Sequence, residues 1–198
     1  MNLQELKSAV TVDVETIKTL NPEIIPASVY YLSLLKCTAI GLTFFWLVIS
    51  LCIAYAGIHY PSNDELARET LSEIFSESVL MAFFMSIGGI LILLPSIVSY
   101  LQFHFHLENK LLTGTMLKKK FKQFAICFMI TFLLLCALFA SGTESAVIFF
   151  TIGLSFFGSL FITYVIVSME ISRLGLTVLF TAINQFRSPD KPDELTIN

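Results

Sequence analysis

The sequence predicts an all-α membrane protein, a bundle of four transmembrane helices with a cytoplasmic amphipathic helix at either terminus. Hydrophobic residues make up 56% of the 198 residues and charged residues only 14%, whereas a soluble domain carries about 25% charged residues. The apolar residues also run in long unbroken stretches instead of alternating with polar residues at a helical or strand period. Once four spans are assigned, the chain leaves no room for a separate soluble enzyme domain.

Four uncharged apolar runs are long enough to cross a bilayer. They occupy residues 37–58, 78–103, 123–143 and 145–169, and each reaches the roughly 20 residues that a helix needs to span the hydrocarbon. Helices suit lipid because each satisfies its backbone amides within its own segment. We therefore predict a transmembrane domain over residues 37–169, preceded by a cytoplasmic segment, 1–36, and followed by an interfacial helix and tail, 170–198.

The basic residues predict the orientation of this domain. Of the 12 Lys and Arg residues, only Arg68 lies in the loop 57–77 between the first and second spans, and none lies between the third and fourth. By the positive-inside rule, the lysine-rich side faces the cytoplasm and both termini lie inside. Residues 1–36 carry four acidic residues and no early apolar core, so we expect no cleavable signal peptide.

Residues 1–21 have the pattern of an amphipathic helix. Apolar residues recur at spacings of three, four and seven, and Pro22 and Pro26 interrupt any continuous helix before the first span. We expect this helix to lie against the membrane or a neighbouring chain; a loosely ordered polar tail is the alternative. The apolar positions are Leu3, Leu6, Val10, Ile17 and Leu20.

The outer loop 57–77 contains the predicted partner-binding residues. Ser62-Asn63-Asp64-Glu65 matches a capping box, which predicts the start of a short helix. On that helix carboxylates recur every four residues and repel one another. A basic protein partner would offset this repulsion, and solvent screening alone is the alternative. The residues assigned to the surface are Asp64, Glu65, Arg68, Glu69, Glu73 and Glu77.

The cytoplasmic loop 104–122 contains a basic cluster, and clusters of this kind next to a span attract anionic lipid headgroups. We predict that it sets the topology and contacts lipid, ahead of binding nucleic acid or a protein. After the fourth span, residues 174–186 are apolar and uncharged; they either lie at the interface or form a fifth span that would place the tail outside. The lysines of the cluster are Lys118, Lys119, Lys120 and Lys122.

Chemistry-bearing residues are sparse. His104, His106 and Glu108 are the nearest approach to a metal set, but on a helix only His104 and Glu108 share a face, and no third ligand follows at a recognised spacing. No acid or histidine lies within the four runs, where proton- or ion-coupled proteins keep them. We expect no enzyme activity, metal, cofactor or nucleic acid. We expect the cysteines to pack as small apolar residues; they are Cys37, Cys52, Cys127 and Cys136.

Small residues in the second and fourth runs allow helices to approach closely. Such contacts serve packing within one chain, with an oligomer face as the alternative. The residues concerned are Ala82, Ser86, Gly89, Gly153, Ser155, Gly158 and Ser159.

The polar N-terminal segment running into Ile25-Pro26-Ala27-Ser28 and a first span, together with the Phe-rich helices and small size, resembles the inner-membrane entry-exclusion proteins of F-type conjugative plasmids. The resemblance implies a bacterial inner-membrane protein of the recipient cell that senses a donor transfer protein and blocks redundant conjugation. Two other functions remain open, an immunity protein against a membrane-acting toxin and a small channel or transporter subunit.

Overall fold

The computed structural model describes residues 3–19, 25–60, 71–144 and 147–174, and these residues form helices and short turns with no strand. The predicted all-α class is confirmed, and four of the helices are long and apolar enough to cross a membrane. The five helices are α1 (Leu3–Thr19), α2 (Ala27–His59), α3 (Leu71–His106), α4 (Gly114–Ala140) and α5 (Ile148–Leu174).

The helices α2, α4 and α5 extend beyond the apolar runs mainly at the lysine-rich end of the bundle, whereas α3 extends further at the opposite end, where it begins at Leu71. A helix rises about 1.5 Å per residue, so the 33 residues of α2 and the 36 of α3 exceed the roughly 30 Å of hydrocarbon. At the opposite end α4 stops at Ala140 and α5 begins at Ile148, so both helix boundaries lie three residues from the limits of the apolar runs. Residues 175–198, with most of the proposed interfacial helix, lie outside the described residues.

The pair α2 and α3 runs antiparallel in close contact. A Cβ added at Gly41 would lie 2.9 Å from the Ile90 side chain, and one at Gly57 would lie 3.0 Å from the Ile74 side chain. The absence of a side chain at both glycines therefore allows this approach. The indole nitrogen of Trp46 donates a hydrogen bond to the carbonyl oxygen of Val79 at 3.0 Å.

Four phenylalanine rings fill the space between α2, α4 and α5. Every pair among them is in contact, with centroids 5.1 to 6.3 Å apart and five of the six pairs edge-to-face, an arrangement favoured by the ring quadrupole. The small residues at Ala82, Ser86, Ser155 and Ser159 are buried within this chain. The interior of the bundle is therefore packed by side chains. The four rings are Phe45, Phe128, Phe132 and Phe156.

Candidate functional site

The two ends of the bundle differ in charge. The end at which α2 and α4 finish and α3 and α5 begin carries the exposed carboxylates of Glu73, Glu77 and Glu144, and we call it the acidic end. The other end carries the lysine cluster and α1, and we call it the basic end.

At the acidic end the structure describes part of the predicted partner-binding surface. Glu73 and Glu77 are exposed on the first turns of α3, so they belong to the membrane-spanning helix and not to a separate short one. The hydroxyl of Tyr60 donates to the carbonyl oxygen of Ser141 at 2.7 Å, which ties the end of α2 to the end of α4. The remaining predicted residues, and the capping box 62–65, lie outside the described residues; they are Asp64, Glu65, Arg68 and Glu69.

The lysine cluster divides into two groups. Lys118 binds the Glu108 carboxylate at 2.7 Å and Lys120 binds the Glu170 carboxylate at 2.6 Å, whereas Lys119 and Lys122 are exposed. Two of the four predicted lipid-contacting lysines thus join elements of the protein to one another. The sequence could not show this division, because all four lysines lie within five consecutive positions.

Glu108 lies in the turn between α3 and α4 and connects the two helices. Its carboxylate contacts the His104 ring and the Lys118 ammonium, and only 11% of its side chain is exposed. Burial alone would raise the pKa of Glu108, but the hydrogen bonds from Lys118 and His104 outweigh burial and lower the pKa below its ordinary value. The carboxylate is therefore charged at neutral pH.

The turn itself depends on a glycine. A Cβ at Gly114, the first residue of α4, would lie 2.0 Å from the carbonyl oxygen of Glu108, far inside the contact distance of any two such atoms. The amide of Gly114 also donates to the carbonyl oxygen of Leu111 at 3.2 Å. Only glycine allows the chain to fold back this tightly.

A second carboxylate joins α4 to α5. Glu170 accepts hydrogen bonds from Lys120 on α4 and, at 2.7 Å, from Arg173 three residues further along α5. Glu170 and Arg173 are three residues apart on one helix, a spacing at which side chains of opposite charge meet.

Asp13 of α1 is the residue that sequence analysis missed. It is 1% exposed, and its carboxylate accepts hydrogen bonds from the backbone amides of Leu112 and Thr113 at 2.8 and 2.9 Å and from the Thr113 hydroxyl at 2.6 Å. Thr113 is the residue preceding α4, where the helix dipole favours a negative charge. A charged group this buried is stable only when it is fully hydrogen-bonded, and here it is held by three donors.

A signal for Asp13 was present in the sequence. The apolar stripe of α1 follows the spacing three, four, three, four, and position 13 is the one place in it with an acid. An acid at the centre of an apolar face is unfavourable against lipid but suits a protein surface that offers amide donors. We expected α1 to lie on the membrane or another chain; in the structure it packs on its own bundle.

The apolar residues beside Asp13 complete this contact. Val10 and Ile17 of α1 are buried against side chains from the end of α3, the following turn and the start of α4. We call this set of buried residues the basal cluster. Its members outside α1 are Phe103, Leu107, Leu111 and Leu117.

Among the described residues, no three His, Cys, Asp or Glu side chains lie close enough together to hold a metal ion. What the two ends offer is charge and hydrogen-bonding groups: exposed carboxylates at the acidic end, and a docked helix beside exposed lysines at the basic end. Such surfaces are suited to recognition of lipids and proteins. No protein-family model, curated protein or solved structure matches this chain.

Proposed function

We propose that this protein is a non-enzymatic integral membrane protein that recognises another protein at its acidic end through the carboxylates of Glu73 and Glu77. The observation that carries the proposal is the exposure of Glu73 and Glu77 on α3, a helix that packs closely against α2. Rigid presentation of charge lowers the entropic cost of binding. The partner should be basic, because opposite charge speeds encounter and disfavours wrong partners.

The orientation that goes with this function places the acidic end outside the cytoplasm. Lys119 and Lys122 are exposed at the basic end, and the described acids at the other end have only Arg68 near them in sequence. This distribution supports the N-in, C-in topology by the positive-inside rule. In a bacterial inner membrane, the acidic end would then face the periplasm.

The specific role that we propose is entry exclusion, in which a recipient-cell membrane protein blocks redundant conjugative transfer. The proposal unites the resemblance at Ile25-Pro26-Ala27-Ser28 with an outward surface suited to an incoming protein. The packed Phe rings around Phe132 favour such a binding role over conduction through one chain, because they fill the space between α2, α4 and α5. Ion flux through proteoliposomes of the purified protein would instead support a channel.

Mating assays test the role directly. Recipient cells expressing the protein should yield fewer transconjugants from a donor carrying an F-type plasmid than recipients without it. The double variant Glu73→Lys, Glu77→Lys should restore transfer at unchanged membrane abundance, because it reverses the charge facing the partner. The matched control is Glu144→Lys, which reverses an exposed charge at the same end but between α4 and α5. Recipients that express this variant should still exclude the incoming plasmid.

Two outcomes would contradict the proposal. Equal transfer into expressing and non-expressing recipients would remove entry exclusion as the function. Unchanged exclusion by the double variant would show that the first turns of α3 are not the recognition surface.

A further inference from the structure

The surface on which α1 packs at the basic end is a helix-docking site with a defined chemistry. One part of it is the apolar surface of Phe103, Leu107, Leu111 and Leu117, and the other part is the set of donors at Leu112 and Thr113. We call this combined surface the α1 groove. An occupant must bring apolar side chains about one helical turn on either side of a carboxylate, as Val10 and Ile17 lie on either side of Asp13.

The α1 groove is separate from the core that holds the bundle together. The basal cluster shares no buried residue with the cluster around Phe45 and Phe132, and none of the described side chains of α1 belongs to the latter. Departure of α1 would therefore uncover the groove without removing a side chain from the core between α2, α4 and α5. Local opening of this kind costs less than global unfolding.

We propose that the α1 groove is an exchangeable docking site and that its second occupant is the α1 helix of another copy of this protein. The exchanged helix places its own Asp13 on the amides of Leu112 and Thr113 of the neighbouring chain. Two copies are then joined reciprocally at their basic ends by their N-terminal helices, with the transmembrane bundles side by side.

Complementarity supports this occupant. A neighbouring α1 is identical to the helix already seated in the groove, so it makes the same three hydrogen bonds and the same apolar contacts. Exchange of an identical element between copies is a low-cost route to a dimer, since the docked and exchanged states differ only in which chain supplies the helix.

The connection between α1 and α2 is long enough for α1 to reach the groove of a neighbouring copy. Seven residues, 20–26, separate Thr19 from Ala27, and an extended chain of that length spans at most about 25 Å. That distance is about twice the diameter of a helix with its side chains, so α1 can reach the groove of a copy that packs directly beside its own α2. Because the membrane holds both copies at one depth, an adjacent groove lies at the level that α1 can reach, and its effective concentration is high.

Co-purification of two differently tagged full-length chains tests the exchange. The release variant Val10→Glu, Asp13→Ala, Ile17→Glu changes only the docking face of α1 and leaves its groove intact and empty. We expect a tagged release variant to capture a wild-type chain several-fold more than it captures a second release variant. A partner carrying Glu15→Ala, an exposed position on α1, should be captured like the wild type, and a partner carrying Asp13→Ala should be captured weakly.

Each other outcome overturns the proposal. Equal capture of wild-type and release partners would mean that the copies associate through their transmembrane helices. Capture of neither would mean that the groove accepts only its own helix.

A second measurement avoids dependence on the release variant. A photo-crosslinking amino acid at the buried position 10 of an otherwise unchanged chain should produce covalent dimers in native membranes on illumination. The same amino acid at Thr11, on the exposed side of α1, should give markedly fewer. Monomers alone from position 10 would contradict the exchange.

Discussion

The basic and acidic ends use their carboxylates in opposite ways. At the basic end Asp13 is buried and Glu108 and Glu170 are partly buried, and each accepts hydrogen bonds from another part of the chain. At the acidic end Glu77 and Glu144 are exposed. A buried charge must be satisfied by the fold, whereas an exposed one contributes little to stability. The comparison separates charges that hold the structure together from charges that remain accessible to a partner.

The largest expected effect is a difference in stability between alanine substitutions at two glycines, one at each end of the bundle. Gly114→Ala places a Cβ within 2.0 Å of the carbonyl oxygen of Glu108, so the turn between α3 and α4 must open. We expect a loss of about 2–3 kcal/mol, at the upper end of overpacking costs, measured by thermal or SDS unfolding of the purified protein.

Gly142→Ala is the control at the acidic end. A Cβ there would meet no atom within 4 Å, so its stability should stay within about 0.5 kcal/mol of the wild type. Equal destabilisation by both substitutions would remove the distinction between a tight basic end and a tolerant acidic end.

The next effect concerns the docking of α1. Asp13→Ala leaves two amides and a hydroxyl at Leu112 and Thr113 without their acceptor, and we expect it to cost about 1–3 kcal/mol. Hydrogen exchange should show α1 amides opening faster, with little change in α2. Glu15→Ala, exposed on the same helix, should change neither. Unaltered exchange in the Asp13 variant would show that the apolar contacts alone hold α1.

The sequence was sufficient to predict the transmembrane helices. A helix that crosses lipid requires a long uninterrupted apolar run. Each of the four runs in the sequence coincides with one of the helices α2 to α5, and no run extends more than three residues beyond its helix. The buried positions of Ser86 and Ser155 also follow the prediction that small residues lie where helices meet. These features depend on the composition of each local segment, so the sequence alone is enough to predict them.

Contacts between distant segments were not predictable in the same way. Asp13 lies 99 and 100 positions from its partners, and the stripe of α1, with an acid at its centre, suits the surface of another chain as well as that of its own bundle. The division of the lysine cluster likewise depends on where Glu108 and Glu170 lie in space. Periodicity identifies which face of a helix is buried but not the surface that buries it.

Glu108 provides a test of the basic end through pH. Its pKa is lowered in the folded protein, so its charged form contributes stability that is present above the unfolded pKa of about 4.3 and is lost as the pH falls through the lower folded value. Glu108→Gln should cost about 1 kcal/mol at neutral pH, since Lys118 is half exposed and its attraction is screened. The difference between variant and wild type should shrink below about pH 4. A difference that grew on acidification would contradict the charged, hydrogen-bonded Glu108.

The smallest expected effect lies at the acidic end and completes the comparison. The variant Glu77→Gln removes an exposed charge one helical turn from Glu73, and like charges at that spacing disfavour a helix by a few tenths of a kcal/mol. Unfolding measurements should therefore show stability unchanged or raised by no more than about 0.5 kcal/mol, while binding of a basic partner weakens through a slower association rate. A clear loss of stability would mean that the Glu77 carboxylate supports the fold as Glu108 does, and the contrast between the two ends would then fail.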